Sequence, residues 1–148
     1  MSRPNTVPYE TTLMVRDCCL CLHVQRAARA LARRFDIALR PVNLTNGQFS
    51  ILMSLNRPKP APMAGVADLL AMDRTTLTAA LKPLVRRNLV LITPDPSDRR
   101  SRNLELTLEG KNVLASALPI WEQTHAEVEA TLPAGQPESL RQGLRALA

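Results

Sequence analysis

The amino-acid sequence predicts a mainly α-helical chain carrying one small β-hairpin. Three observations lead there. Apolar residues recur at three- and four-residue steps over most of the chain. Two short β-prone runs, LVLIT and NLELT, flank a charged loop, so residues 89 to 107 read as a hairpin. The 148 residues are 45% hydrophobic, enough to fill one domain-sized core.

Each element follows from its own pattern. From Asp17 to about Leu39, Leu20, Val24, Ala27, Ala28, Leu31 and Phe35 keep helical spacing while Arg26, Arg29 and Arg33 fall elsewhere, which predicts one long amphipathic helix. Its stripe is long for a core of this size, so it serves either this chain or a partner subunit. Thr45 is an N-cap candidate for a short helix carrying Phe49, Leu52 and Met53. RPKPAP, with three prolines in six residues, reads as a stiff connector.

Two helices with a tight break follow. Val66, Leu69 and Leu70 face a core in the first; Asp73 caps the second, whose buried side is Leu77, Leu81, Leu84 and Val85. Pro83 removes the hydrogen bond to Ala79, and Asn88 suits a left-handed helix end. After the hairpin, Leu108 to Val128 reads as a long helix kinked near Pro119. PAGQPE ends it, and Leu140, Leu144 and Leu147 mark a final short helix.

Charge narrows the function. The formal net charge is +6 and the pI near 10, which favours an anionic partner such as nucleic acid. Residues 74 to 102 hold seven basic against two acidic residues, so the positive density is local. With no 18-residue apolar run and no signal-peptide pattern, a cytoplasmic protein without a membrane partner is expected. Cys18, Cys19 and Cys21 have only His23 and His125 beside them in the chain, so the usual four-ligand zinc spacing is missing. They read as reduced, buried small apolar residues, and no metal or cofactor is expected.

Helix, tight turn, helix and basic hairpin is the organisation of a winged helix-turn-helix, whose second helix enters the major groove while the hairpin, or wing, reaches sideways. Arg74 and Thr78 stand near the start of that helix, where they can reach base edges; Thr75 and Thr76 can donate to phosphate oxygens. Lys82, Arg86 and Arg87 extend the positive side. In the loop, Arg99, Arg100 and Arg102 accompany Asp95 and Asp98. An arginine at the tip suits a narrow minor groove, and the aspartates suit bidentate bracing of guanidiniums.

The stretches LTNGQFSIL, LLAMDRTTLTAALKPLVRRNLV and DPSDRRSRNLELTLEGKNVL resemble, in order and across almost the whole chain, the MarR family of bacterial transcription regulators. The resemblance implies a homodimer without catalysis, with residues 9–40 and 108–148 as the helical dimerisation region and residues 41–107 as the DNA-binding lobe. Two lobes would meet a pseudo-palindromic operator in double-stranded DNA, with half-sites roughly 10 base pairs apart. The family's wing pattern Asp-x-Arg-Asp-x-Arg is met by Asp95, Asp98 and Arg100. Ser97 departs from it, which leaves open whether Arg99 or Arg100 enters the groove. Ala79 and Ala80 replace larger polar residues, leaving Arg74, Thr76, Thr78 and Lys82 as the main contacts.

The resemblance also implies release of a repressor by a small anionic or aromatic effector, for which Arg16, His23, Arg26, Phe49 and Trp121 are the candidate pocket residues. An alternative is thiol-based oxidant sensing. Cys21 aligns with the reactive cysteine of the family's organic-hydroperoxide sensors, but Phe35 and Asn46 stand where those sensors carry activating tyrosines. A further alternative is a basic helical interaction protein that binds without reading sequence. A thiol enzyme lacks a paired base and orienting carboxylate.

Overall fold

The computed structural model describes residues 6–148. It divides into two compact units, Met1–Arg34 and Phe35–Ala148.

The first unit is helical. Helix α1 (Tyr9–Cys18) precedes α2 (Leu20–Ala38), which runs on into the second unit. The single helix expected from Asp17 is therefore broken at Cys19, whose ψ of 108° is extended rather than helical. The Cys19 Sγ takes up the role of an N-cap for α2, accepting from the Leu22 N–H at 3.5 Å. The cysteines are also not the buried residues expected: Cys18 and Cys21 are exposed and Cys19 half-buried.

The second unit holds the core. Past Leu39, a 3-10 turn (Arg40–Val42) leads to α3 (Asn46–Ser54). Thr45 and Gln48 close a reciprocal capping box on α3, as the Thr-x-x-Gln spacing allows. Strand β1 (Ala61–Pro62) and helix α4 (Met63–Leu69) follow, then α5 (Arg74–Arg86), strands β2 (Val90–Pro94) and β3 (Arg102–Leu106), and helices α6 (Leu108–Glu129) and α7 (Gln136–Leu147). The sheet order is β1-β3-β2, both pairs antiparallel.

The proline-rich connector thus ends in a strand that was not expected. Ala61 and Pro62 pair with Leu104 and Asn103 at the edge of the sheet, the position where a residue lacking an N–H is tolerated. Leu39, Leu52, Leu77, Leu81, Leu84 and Leu104 are fully buried, joining α3, α5 and the sheet into one core. Leu69 and Val85, expected in it, are exposed. The buried stripes differ from the expected ones: α4 buries Met63, Val66 and Ala67, and α5 buries only its leucines.

Helix α6 contains Pro119 yet is helical throughout its 22 residues. Its start sits tightly on the hairpin. Thr107 Oγ1 donates to the Asn88 carbonyl at 2.6 Å and accepts from the Gly110 N–H at 3.0 Å, while the Thr107 N–H donates to Leu89 O. A Cβ at Gly110 would lie 2.1 Å from Leu89 O, so only glycine permits this approach. Among the described residues no helix is long and apolar enough to cross a membrane.

Candidate nucleic-acid interface

The turn between α4 and α5 sets the exposed helix. Ala71 adopts φ 52°, a conformation that costs an L-residue roughly 1 kcal/mol or more, and the Met72 N–H closes on Ala67 O at 2.9 Å. Asp73 then caps α5, accepting from the Thr76 N–H at 2.7 Å; that backbone bond holds its carboxyl below the ordinary range. Leu77, Leu81 and Leu84 anchor one side of α5 in the core. Arg74, Thr75, Thr78, Ala79 and Lys82 consequently share the outward face and line a shallow groove of about 280 Å³. Thr76 and Arg86 are exposed as well.

Two of the expected contacts have other duties. The Thr78 hydroxyl donates to Arg74 O at 2.7 Å, so its proton is already committed within the helix. Arg87 is half-buried and donates to the Asn43 carbonyl at 2.6 Å, fastening the end of α5 to the turn before α3.

The wing is built differently from the expected guanidinium bracing. Asp95 Oδ1 accepts from both the N–H (2.8 Å) and the hydroxyl (2.7 Å) of Ser97, and these bonds lower its pKa. Asp98 accepts from the Arg100 N–H at 3.0 Å and from the Ser101 hydroxyl at 3.0 Å. Short side chains satisfy the aspartates because a carboxylate readily bonds the backbone two residues on. The bracing therefore acts on the loop backbone. Arg102 adds to it by donating to the carbonyls of Arg99 (2.9 Å) and Ser101 (3.2 Å). Among the described residues, no hydrogen bond or ion pair holds the guanidinium of Arg99 or Arg100, and both are exposed.

Ser97, the departure from the family pattern, is thus a brace, and Ser101, Thr107 and Gly110 join it as residues the sequence reading passed over. The Asp-x-Ser and Asp-x-Arg spacings at 95 and 98 carried that signal. Nothing local marks Gly110, whose constraint comes from Leu89, just before β2 and about twenty residues away.

The proposed effector residues belong to different units. Phe49 and Trp121 lie in the second unit with ring centroids 6.1 Å apart and planes 15° apart, and Trp121 stacks on His125 at 4.6 Å. With Met53, Leu69 and Leu118 they line an apolar cleft of about 470 Å³. Arg16, His23 and Arg26 lie in the first unit. Arg16 is paired with Asp17 at 2.6 Å, which raises its pKa; the His23 ring nitrogen Nδ1 is 2.8 Å from Cys19 O; Arg26 is exposed. Cys21 Sγ accepts from Gln25 Nε2 at 3.2 Å. No cluster of three or more histidine, cysteine or acidic side chains among the described residues is placed to hold a metal.

Comparison with known proteins agrees with this geometry. A sequence model of the MarR family matches residues 44–101. The HTH-type transcriptional repressor NicR of Pseudomonas putida is 33% identical over 93 residues, covering 63% of this chain and 59% of NicR's own length. The M. tuberculosis transcriptional regulator MosR, solved in complex with DNA, superimposes with a TM-score of 0.79 and 36% identity over 87% of this chain and 92% of that one. The transcriptional repressor CouR, bound to a 23-mer DNA duplex, gives a TM-score of 0.79 with 29% identity over 90% and 94% of the two chains. Helix pair, basic wing, matched family segment and DNA-bound structural relatives lead to one conclusion: this chain belongs to the MarR family of transcriptional regulators.

Proposed function

We propose that the chain is a homodimeric repressor that binds a pseudo-palindromic operator through residues 41–107 and is released by a small aromatic or anionic effector. The observation that carries this reading is the combination of a basic outward face on α5 with a self-braced wing whose Arg99 and Arg100 guanidiniums are exposed. Arg74, Thr75, Thr76 and Lys82 supply groove and phosphate contacts, with Arg86 further along the helix. Arg99 or Arg100 enters the minor groove, where negative potential is concentrated. Asp95, Asp98 and Arg102 hold the contacting elements in shape. Binding and release involve no chemical step, and the site of action is the cytoplasm.

Residues 9–40 and 108–148 are the dimerisation region in this reading. Neither α1 nor α7 buries a residue, and Leu20 (68% exposed), Leu144 (41%) and Leu147 (64%) are left to solvent in a single chain. Covering such side chains recovers about 25 cal/mol for each Å² of apolar surface. NicR and CouR are named as repressors, which favours repression over activation here. The cleft at Phe49 and Trp121 is the effector site we favour, because its apolar walls and stacked rings suit an aromatic body. An effector placed there shifts the operator equilibrium only by its preference for one lobe spacing over the other.

Enrichment from random duplexes with the reduced protein tests the proposal. A two-fold symmetric site with mismatch costs of about 1–3 kcal/mol per position is expected. Enrichment of no sequence would leave a basic interaction protein.

A second reading, oxidant-controlled release, has one observation in its favour: the Cys18 and Cys21 thiols are exposed, so an oxidant can reach them. Hydroperoxide should then release the operator from the parent protein and not from Cys21→Ser. Unchanged affinity in both discards it.

A further inference from the structure

Resting on α5 as the recognition helix, we infer that Thr78 and Ala79 form a methyl-lined reading site for thymine, flanked by Arg74 and Lys82 as the polar contacts. The first step is the commitment of the Thr78 proton. Its hydroxyl donates to Arg74 O at 2.7 Å, closing the backward bond typical of a helical threonine, and lies 3.9 Å from Met63 Sδ. A hydroxyl so engaged has no proton for a base acceptor and can only accept, which leaves the γ-methyl as the apolar group Thr78 presents.

Ala79 is exposed and offers only its own methyl. Thr78 and Ala79 lie between Arg74 and Lys82 along α5, and all four line the groove together with Thr75. In the major groove the single apolar feature of the bases is the thymine C5-methyl, and alanine and threonine methyls are the side-chain groups that meet it, whereas arginine and lysine favour guanine O6 and N7. The duplex is the occupant that fits, because the groove lies within the most basic thirty residues of the chain. Discrimination at this site would therefore come from burial of methyl against methyl, with guanine contacts at its margins.

Deoxyuridine replacement tests this directly, since it deletes the thymine methyl and leaves every hydrogen-bonding group in place. The probe is the operator selected by the parent protein, with each thymine replaced singly. At one or two thymines per half-site the affinity should fall on the order of fourfold, the value of exposing one buried carbon. Thr78→Ser keeps the bond to Arg74 O and removes the methyl, so it should bind the unmodified operator as weakly as the parent binds the modified one and lose sensitivity to deoxyuridine at its position. Thr78→Val keeps the methyl and removes the hydroxyl, and should retain that sensitivity. An enriched operator whose thymines all tolerate deoxyuridine overturns the inference alone. Loss of thymine discrimination in Thr78→Val does the same, by making the hydroxyl the reader. Enrichment of no operator overturns the DNA-binding reading and this inference with it.

Discussion

Gly110→Ala is the sharpest probe of how the wing is fixed. The added Cβ would meet Leu89 O at 2.1 Å, Leu89 C at 3.0 Å and Leu106 Cδ2 at 3.3 Å. Carbon and carbonyl oxygen approach comfortably only to about 3.3 Å, so α6 and the start of the hairpin must separate by about 1.2 Å. Both sides are pinned: Leu89 O accepts from the Thr107 N–H at 3.1 Å, and the Gly110 N–H is held by Thr107 Oγ1. Overpacking of this kind costs about 1–3 kcal/mol, and a lost backbone bond adds about 1 kcal/mol. Replacing a helical glycine returns up to about 1 kcal/mol. The net expectation is about 1–3 kcal/mol of destabilisation, a fall in melting temperature of roughly 3–10 °C for a chain of this size. Urea unfolding, with Lys111→Ala as an exposed neighbouring control, reads the difference. A midpoint equal to or above the parent's would refute the reasoning, because it would require Leu89 and Gly110 to part without cost.

Three further expectations follow from the same geometry. Arg99→Ala and Arg100→Ala should each weaken operator binding and flatten its dependence on salt by up to about one unit in the log-log slope, measured by titration over a range of salt; unchanged slopes in both remove the wing from the interface. Pro83→Ala should restore the backbone bond to Ala79 and stabilise the protein by about 1–3 kcal/mol in urea unfolding, and a loss of stability would show that the proline ring packs usefully. Asp73 is held below its ordinary pKa by the Thr76 N–H and Asp95 by the Ser97 hydroxyl and N–H. A carboxyl depressed in the folded state stabilises it fully above its unfolded pKa, near 3.9, and that contribution is lost as pH falls through the lower folded value. Asp73→Asn and Asp95→Asn should therefore each reduce the acid sensitivity of the urea midpoint below about pH 4, and profiles parallel to the parent's would exclude both caps as its source.

The elements that were legible in the sequence are those whose signals are local. Thr45 and Asp73 announce helix starts through the backbone donors they satisfy, and Asn88, at φ 56°, ends α5 in the left-handed conformation its side chain tolerates. What escaped depends on distant partners. Pro62 reads as part of a connector until β3 is present to pair with it, and Gly110 reads as a poor helix residue until Leu89 lies beneath it. Cys19 looked apolar because composition alone says nothing of a break between two helices. In the wing, charge was legible but not its use: paired signs suggested ion pairs, whereas the aspartates bonded the hydroxyls of Ser97 and Ser101 and loop backbone N–H groups instead.

The self-contained bonding of the seven-residue loop from Asp95 to Ser101 bears on time as well as shape. A flexible arm must find its conformation after each encounter with the duplex, and it gives that order up again on leaving. A loop already closed by Asp95, Asp98 and Arg102 arrives as a stiff prong, so its conformational entropy is lost when the chain folds rather than at every search step along the chromosome. In the proposed reading, dissociation then waits on the breaking of phosphate and groove contacts, which makes the residence time on DNA a matter of ionic conditions and operator sequence rather than of loop refolding.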